Sequence, residues 1–234
     1  MNTTSNRMQP IVALRAIRRL LADPEQTHEV FTVIRALSGP ALQNAYMRFA
    51  DTEVGRDVLA QDIDLLDTLN DRDMLGALPP STLGRRYLQF VTSEDLSADG
   101  LVEASDIGMG DDLEGGIARF AMRQRDMHDL WHTLTAYGRD TLGELCLLAF
   151  TYAQTRNRGI GFICLMGANK LAKEYGNGVF RVAWNAYQDG KRAAWLPAQD
   201  WEALLRLPIA EVRETLNIGE PQDYNTLRAA YAPA

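Results

Sequence analysis

Helical periodicity runs through almost the whole chain, and the strict alternation of a half-buried strand is nearly absent. Helical patterns occupy residues 9–22, 25–38, 40–50, 55–69, 83–93, 113–137, 141–155, 160–174, 179–188, 198–206 and 208–216, with Gly, Pro or Asp at the joints. That pattern predicts an all-α fold. Of the 234 residues, 46% are hydrophobic, enough for a substantial core, and no linker-like stretch divides them, so residues 1–234 read as a single domain. One place offers strands instead. Asp189-Gly190 suits a hairpin turn, with Phe180–Trp184 and Ala193–Leu196 as a short ribbon around it.

Within the longest helical pattern, His128-Asp129-Leu130-Trp131-His132 holds two of the chain's three histidines. Positions i and i+4 lie one turn apart on one face of a helix, so both rings can reach one divalent cation. Tyr137-Gly138-Arg139-Asp140 then interrupts the pattern. Gly138 suits the left-handed residue that ends a helix, and Asp140 or Thr141 suits the cap of the next, which makes a tight helical hairpin. His132 stands six residues before Gly138 and Glu144 six after it. At about 1.5 Å per residue the two sit at the same height in an antiparallel pair, and a carboxylate joins two nitrogens.

Plainer roles compete for the same residues. On a helical wheel His128 and His132 share a face with Arg125 and Thr135, opposite the stripe of Met127, Leu130, Trp131 and Leu134, which predicts a polar face outside the core for both rings. Thr141-Leu142-Gly143-Glu144 also fits a capping box, in which the acid reaches back to a backbone N–H. Against that, Leu147 and Leu148 stand on the acid's own face, where an unpaired carboxylate is costly to bury and a cation offsets the cost. Asp129 points about 100° away from His128, leaving three roles open: a fourth ligand, an orienter of an imidazole, or a proton acceptor beside the metal. Two histidines with one or two carboxylates make an open N/O site suited to Zn²⁺, Fe²⁺ or Mn²⁺.

HDxxH followed by eleven residues and Glu resembles the signature of the ubiquinone (coenzyme Q) biosynthesis family called Coq-four. The likeness extends beyond the motif. Leu78-Pro79-Pro80-Ser81-Thr82-Leu83-Gly84 is similar to the family's Pro-x-Gly-Ser-Leu-Gly segment, with Pro80 and Thr82 as departures, and Ala22–Thr27 to its Asp-Pro-x-x-Thr helix junction. Gly138–Glu144 is similar to its Gly-Arg-Asp-Pro-Leu-Gly-Glu, with Thr141 in place of proline, and Ala183-Trp184, Trp201-Glu202 and Leu216-Asn217-Ile218 to its closing helices. Together these cover about residues 13–220.

The resemblance implies a metal site of His128, Asp129, His132 and Glu144, with Asp129 also catalytic and zinc as the usual ion. It implies a polyprenylated 4-hydroxybenzoate derivative as substrate, whose ring C1 carboxyl is removed and replaced by hydroxyl, and association with other ubiquinone-biosynthesis enzymes. A second reading is a non-catalytic prenyl-lipid-binding scaffold that organises those enzymes, its metal structural. A third is a phosphohydrolase built on the His128-Asp129 doublet; it needs His28, 100 residues upstream, and gives Glu144 no role.

Composition narrows the setting. A net charge of −7 and pI near 5.0 imply no broad basic surface, so nucleic acid is not an expected partner. Cys146 and Cys164 lie in apolar runs without CxxC spacing and read as buried thiols in a reducing compartment; the family resemblance implies that this is the cytoplasm, peripheral to the inner membrane, in a bacterium, or the mitochondrial matrix side in a eukaryote. Residues 1–22 carry four arginines and no acid, as transit peptides do. Yet Pro10 opens a helix whose Ile11, Leu14, Ile17 and Leu21 stripe runs into Asp23-Pro24, so the segment is read as part of the fold. Apolar runs such as Ile160–Ala168 fall far short of the roughly 20 residues a membrane span requires. Membrane contact is therefore expected to be peripheral, with Arg15, Arg18 and Arg19 near anionic headgroups. Gly159–Met166 is a candidate lining for a prenyl-tail channel, with core packing as the plainer reading. Residues 108–116 read as an acidic, glycine-containing loop leading into the motif helix. Homo-oligomerisation stays open.

Overall fold

The computed structural model describes residues 8–22, 27–61, 63–94 and 113–231. The Asp23–Gln26 part of the family-like helix junction and most of the acidic loop fall outside them. Among the described residues the fold is all-α, without a strand; the β-type pairing is an isolated bridge between Thr82 and Pro208. No helix there is long and apolar enough to cross a membrane.

The chain begins with a helical pair, α1 (Pro10–Ala22) and α2 (Thr27–Ser38), followed by α3 (Ala41–Ala50), α4 (Glu53–Gln61), α5 (Leu65–Asn70), α6 (Arg72–Ala77) and α7 (Leu83–Ser93). After the undescribed stretch come α8 (Gly115–Asp126), α9 (His128–Thr135), α10 (Thr141–Thr155), α11 (Arg158–Tyr175) and α12 (Gly178–Arg192). A 3₁₀ turn at Leu196–Ala198 leads to the short helices α13 (Trp201–Leu204), α14 (Ile209–Thr215) and α15 (Gln222–Tyr231).

Helix α10 is the axis of the main core. Leu142, Leu145, Cys146, Leu147, Ala149 and Phe150 are all buried, so it is apolar nearly all round, as a helix enclosed by others must be. It packs against α11 and α12. The proposed ribbon does not form, because α12 runs straight through Asp189-Gly190. Packing explains the glycine: a Cβ at Gly190 would stand 2.6 Å from the Phe150 carbonyl oxygen, so only glycine lets α12 lie this close to α10.

The sequence pattern ran together elements that the structure separates. Residues 55–69 divide into α4 and α5, and 113–137 divide at Met127 into α8 and α9. Helices α6 and α15 were not anticipated. On α1 the inward face is Ala13, Ala16 and Ile17, while Ile11 and Leu14 are exposed, so the expected stripe is rotated. Small residues face inward because α2 lies close, with Gln9 N–H donating to the Ala36 carbonyl. Gly159 also serves close helix packing, since a Cβ there would stand 2.6 Å from Ile34 Cα; Ile160 and Ile163 are buried, and only Leu165 of the segment's larger apolar residues is exposed. The segment is thus core on one side rather than an open channel wall.

Candidate metal centre

Helices α9 and α10 form the expected hairpin, but its turn is built differently. The left-handed residue ending α9 is Ala136 (φ 58°), and Gly138 does not have positive φ. Gly138 is needed for space, because a Cβ there would come within 2.7 Å of the Tyr224 hydroxyl and 2.9 Å of an Asp140 carboxylate oxygen. Gly143 is tighter still: its Cβ would stand 2.0 Å from the Gly138 carbonyl oxygen. Asp140 caps α10 by accepting a 3.0 Å hydrogen bond from Gly143 N–H. The capping box therefore does not form, and Glu144, one residue deeper than a box requires, turns its carboxylate toward the histidines.

His132 Nδ1 lies 2.9 Å from the Tyr137 carbonyl oxygen, and a carbonyl only accepts, so Nδ1 carries the proton. The lone pair of His132 is thereby placed on Nε2. That atom is fully buried, has no hydrogen-bond partner, and faces Glu144 Oε1 at 3.4 Å. His128 repeats the arrangement one turn earlier. Its Nδ1 is 3.2 Å from Asp129 Oδ1, and its Nε2 is 4.0 Å from Glu144 Oε2. Both imidazoles thus turn Nε2 toward one carboxylate, while an oxygen acceptor holds each Nδ1. His128, Asp129 and His132 also offer ligand atoms within 4.8 Å of one another.

Charge in the cluster is strongly interdependent. Burial pushes the Glu144 carboxyl up, yet the neighbouring His132, His128 and Arg139 outweigh it and hold the carboxyl below its ordinary value. Burial likewise raises Asp129, and its hydrogen bond with His128 reverses the direction. For His128, burial opposes the charged form, but Asp129 and Glu144 prevail and raise its pKa. The carboxylates therefore stay ionised and the site seeks positive charge. A buried imidazole lone pair facing a carboxylate repels it unless a proton or cation lies between, and the donor set of two nitrogens and carboxylates fits a divalent ion of mixed N/O preference.

Sequence reasoning placed both rings outside the core, but His132 is 1% exposed, stacked on Phe90 at 5.7 Å between ring centroids. The helical wheel failed because α7 covers that face. His128 stays partly open, like Glu144 and Arg139, so one side of the cluster is accessible. The sequence also gave no sign of Tyr224. Its hydroxyl accepts from Gly138 N–H at 3.0 Å and donates to Asp140 at 2.6 Å, clamping the hairpin turn from α15. With more than 80 residues between these partners, no local signal existed. His28, needed for a phosphohydrolase, sits on α2 beside Glu29 at 3.5 Å and is not part of the cluster.

Comparison with known proteins places these residues in context. Residues 3–222 match the profile of a family described as coenzyme Q (ubiquinone) biosynthesis protein Coq4. The chain is 28% identical over 193 residues to the mitochondrial ubiquinone biosynthesis protein COQ4 of Scheffersomyces stipitis, covering 82% of this chain and 59% of that one. For the Podospora anserina protein of the same description the identity is 31%, covering 74% of this chain and 56% of the relative. The Aedes aegypti mitochondrial homologue is 29% identical, with 85% and 71% covered. The chain thus spans less than three fifths of these fungal relatives. A crystal structure from Nostoc punctiforme, provisionally described as a ubiquinone biosynthesis protein, superposes with a TM-score of 0.67 at 21% identity over 90% of this chain and 98% of that one, which shows the shared fold.

Proposed function

Because the chain belongs to the coenzyme Q (ubiquinone) biosynthesis protein Coq4 family, we propose that it is a divalent-metal-dependent enzyme acting on a polyprenylated 4-hydroxybenzoate derivative, in which the ring C1 carboxyl leaves as CO₂ and a hydroxyl takes its place. The observation that carries the metal dependence is the convergence of two Nε2 atoms, one of them buried without a hydrogen-bond partner, on the carboxylate of Glu144. The resemblance in the motif supports the substrate.

His128, His132 and Glu144 would hold the ion, and Asp129 either completes the set or fixes the His128 ring through Nδ1. A divalent cation there supplies Lewis acidity, polarising a substrate oxygen. The protein's own groups do the rest. The Tyr137 carbonyl fixes the tautomer of His132, Phe90 and the surrounding core exclude water from that ring, and Asp129, ionised and mostly buried, can accept a proton at Oδ1 or Oδ2. Exchanging carboxyl for hydroxyl is an oxidation; zinc exchanges no electrons, so with zinc the oxidising equivalents come from an external oxidant of the dioxygen class. Iron or manganese fit the same donors.

In the same proposal the chain works beside other ubiquinone-biosynthesis enzymes, in contact with a membrane but not spanning it. The exposed Ile11 and Leu14 with Arg15 and Arg18 on α1 support a peripheral contact.

Asp129→Asn tests the catalytic reading. In a strain lacking the native protein, this variant should accumulate the C1-carboxylated prenylated intermediate and make little ubiquinone, while still binding prenyl lipid. Normal ubiquinone with stable Asp129→Asn protein would overturn catalysis and leave the scaffold reading in its place.

A further inference from the structure

A groove of about 760 Å³ adjoins the metal centre, between α7 and the α9–α10 turn. Four arginines line it, Arg86, Arg139, Arg213 and Arg228, against two carboxylates, Glu94 and Asp140, in a chain whose net charge is −7. Two of the four are engaged structurally. Arg213 donates to the Leu134 carbonyl at 2.8 Å and pairs with Glu220, and Arg228 lies 3.1 Å from Asp140. The other two are differently placed. Arg86 is exposed and reaches Gln89 at a marginal 3.4 Å, and Arg139 approaches Glu144 at 3.8 Å, on the open side of the cluster. Phe90 lines the same groove, its ring stacked on His132.

An anion is the natural occupant of such a mouth, and the aromatic wall makes an aryl ring a better fit than a bare oxyanion. Resting on the substrate class proposed above, we infer that Arg86 and Arg139 form the carboxylate-recognition site for an aromatic acid, whose ring lies along Phe90 and whose carboxyl is presented toward the metal centre. Arginine suits this role because its planar fork matches a carboxylate. Arg139 is the nearer of the two to the cluster. A cation that offsets the Glu144 charge frees its guanidinium for the substrate, so acid recognition and metal loading reinforce each other.

The test is equilibrium binding to the metal-loaded protein of 4-hydroxy-3-prenylbenzoate and of 2-prenylphenol, which lacks the carboxyl. The wild-type protein should prefer the acid by about tenfold or more, as expected for a charge-assisted hydrogen bond. Arg86→Gln and Arg139→Gln should each erode that preference, and the double variant should abolish it while phenol affinity and melting temperature stay unchanged. If the wild type prefers the acid and the double variant does too, the arginine assignment is overturned while the proposed substrate class stands. If the wild type shows no preference, both fall. Displacement of the acid by inorganic phosphate at equal concentration would overturn the aryl-acid assignment in favour of a simple oxyanion site.

Discussion

The Nε2 atom of His132 faces Oε1 of Glu144 at 3.4 Å, although the two residues belong to different helices joined by a turn. Two acceptors brought this close, one of them sealed from water, define a place for positive charge before any ligand arrives. The arrangement yields two contrasting variants. His128→Ala and His132→Ala should both lose bound divalent metal, measured by elemental analysis of protein purified without chelator. His132→Ala should also lower stability by about 2–3 kcal/mol, because it empties a buried site and leaves the Tyr137 carbonyl unsatisfied, whereas His128→Ala, half open to solvent, should cost about 1 kcal/mol or less. Full metal occupancy in the His132→Ala protein would rule out the centre.

Tyr224→Phe removes one hydroxyl and two hydrogen bonds, from Gly138 N–H and to Asp140. The ring stays packed edge-on to Tyr137. The expected loss is about 1–3 kcal/mol in denaturant unfolding, together with weaker metal binding, since the turn spaces His132 from Glu144. Unchanged metal affinity would show that the turn holds its geometry without α15.

Gly143→Ala should be among the most damaging single changes. Its methyl would meet the Gly138 carbonyl oxygen at 2.0 Å, backbone against backbone, so neither group can move aside without opening the turn. A loss of about 3 kcal/mol, or failure to accumulate as soluble protein, is expected. A near-wild-type melting temperature would contradict the packing described for α9 and α10.

Acid should weaken the fold partly through the pair of Arg123, buried on α8, and Glu202 on α13, which share two hydrogen bonds of 2.7 and 2.8 Å. Burial pushes the Glu202 carboxyl up, but the arginine outweighs it and the net shift is downward. A carboxyl whose folded pKa lies below its unfolded one contributes stability above the ordinary carboxylate value and loses it as pH falls through the lowered value. Glu202→Gln should therefore be less stable than the wild type near neutrality, and the gap should narrow as pH drops below the ordinary range. A gap that stays constant with pH would refute the linkage.

The helical hairpin was legible because its determinants are local: i, i+4 spacing for the histidines, glycine and aspartate at the turn, equal distances to His132 and Glu144. The cap at Asp140 and the direction of Glu144 hung on one residue of register, which spacing alone left open. Burial of His132 was misjudged because a wheel describes one helix, and the covering helix α7 comes from residues 83–93. Tyr224 and the groove arginines were invisible for the same reason, since long-range contacts leave no periodic trace. Glycines at positions 159 and 190 looked like a channel lining and a hairpin turn; both proved to be points where helices touch backbone to backbone.

The pair α1–α2 shares a small core of its own, Ala13, Ala16, Ile17, Val33 and Ala36, which packs against one side of α11 through Gly159, Phe162, Ile163 and Met166 and against Leu148 of α10. None of the metal-centre residues belongs to it. Amide hydrogen exchange in these two helices should therefore report a separate, lower-energy opening than exchange in α10, so the amino-terminal pair can loosen while the hairpin that carries the candidate metal centre keeps its shape.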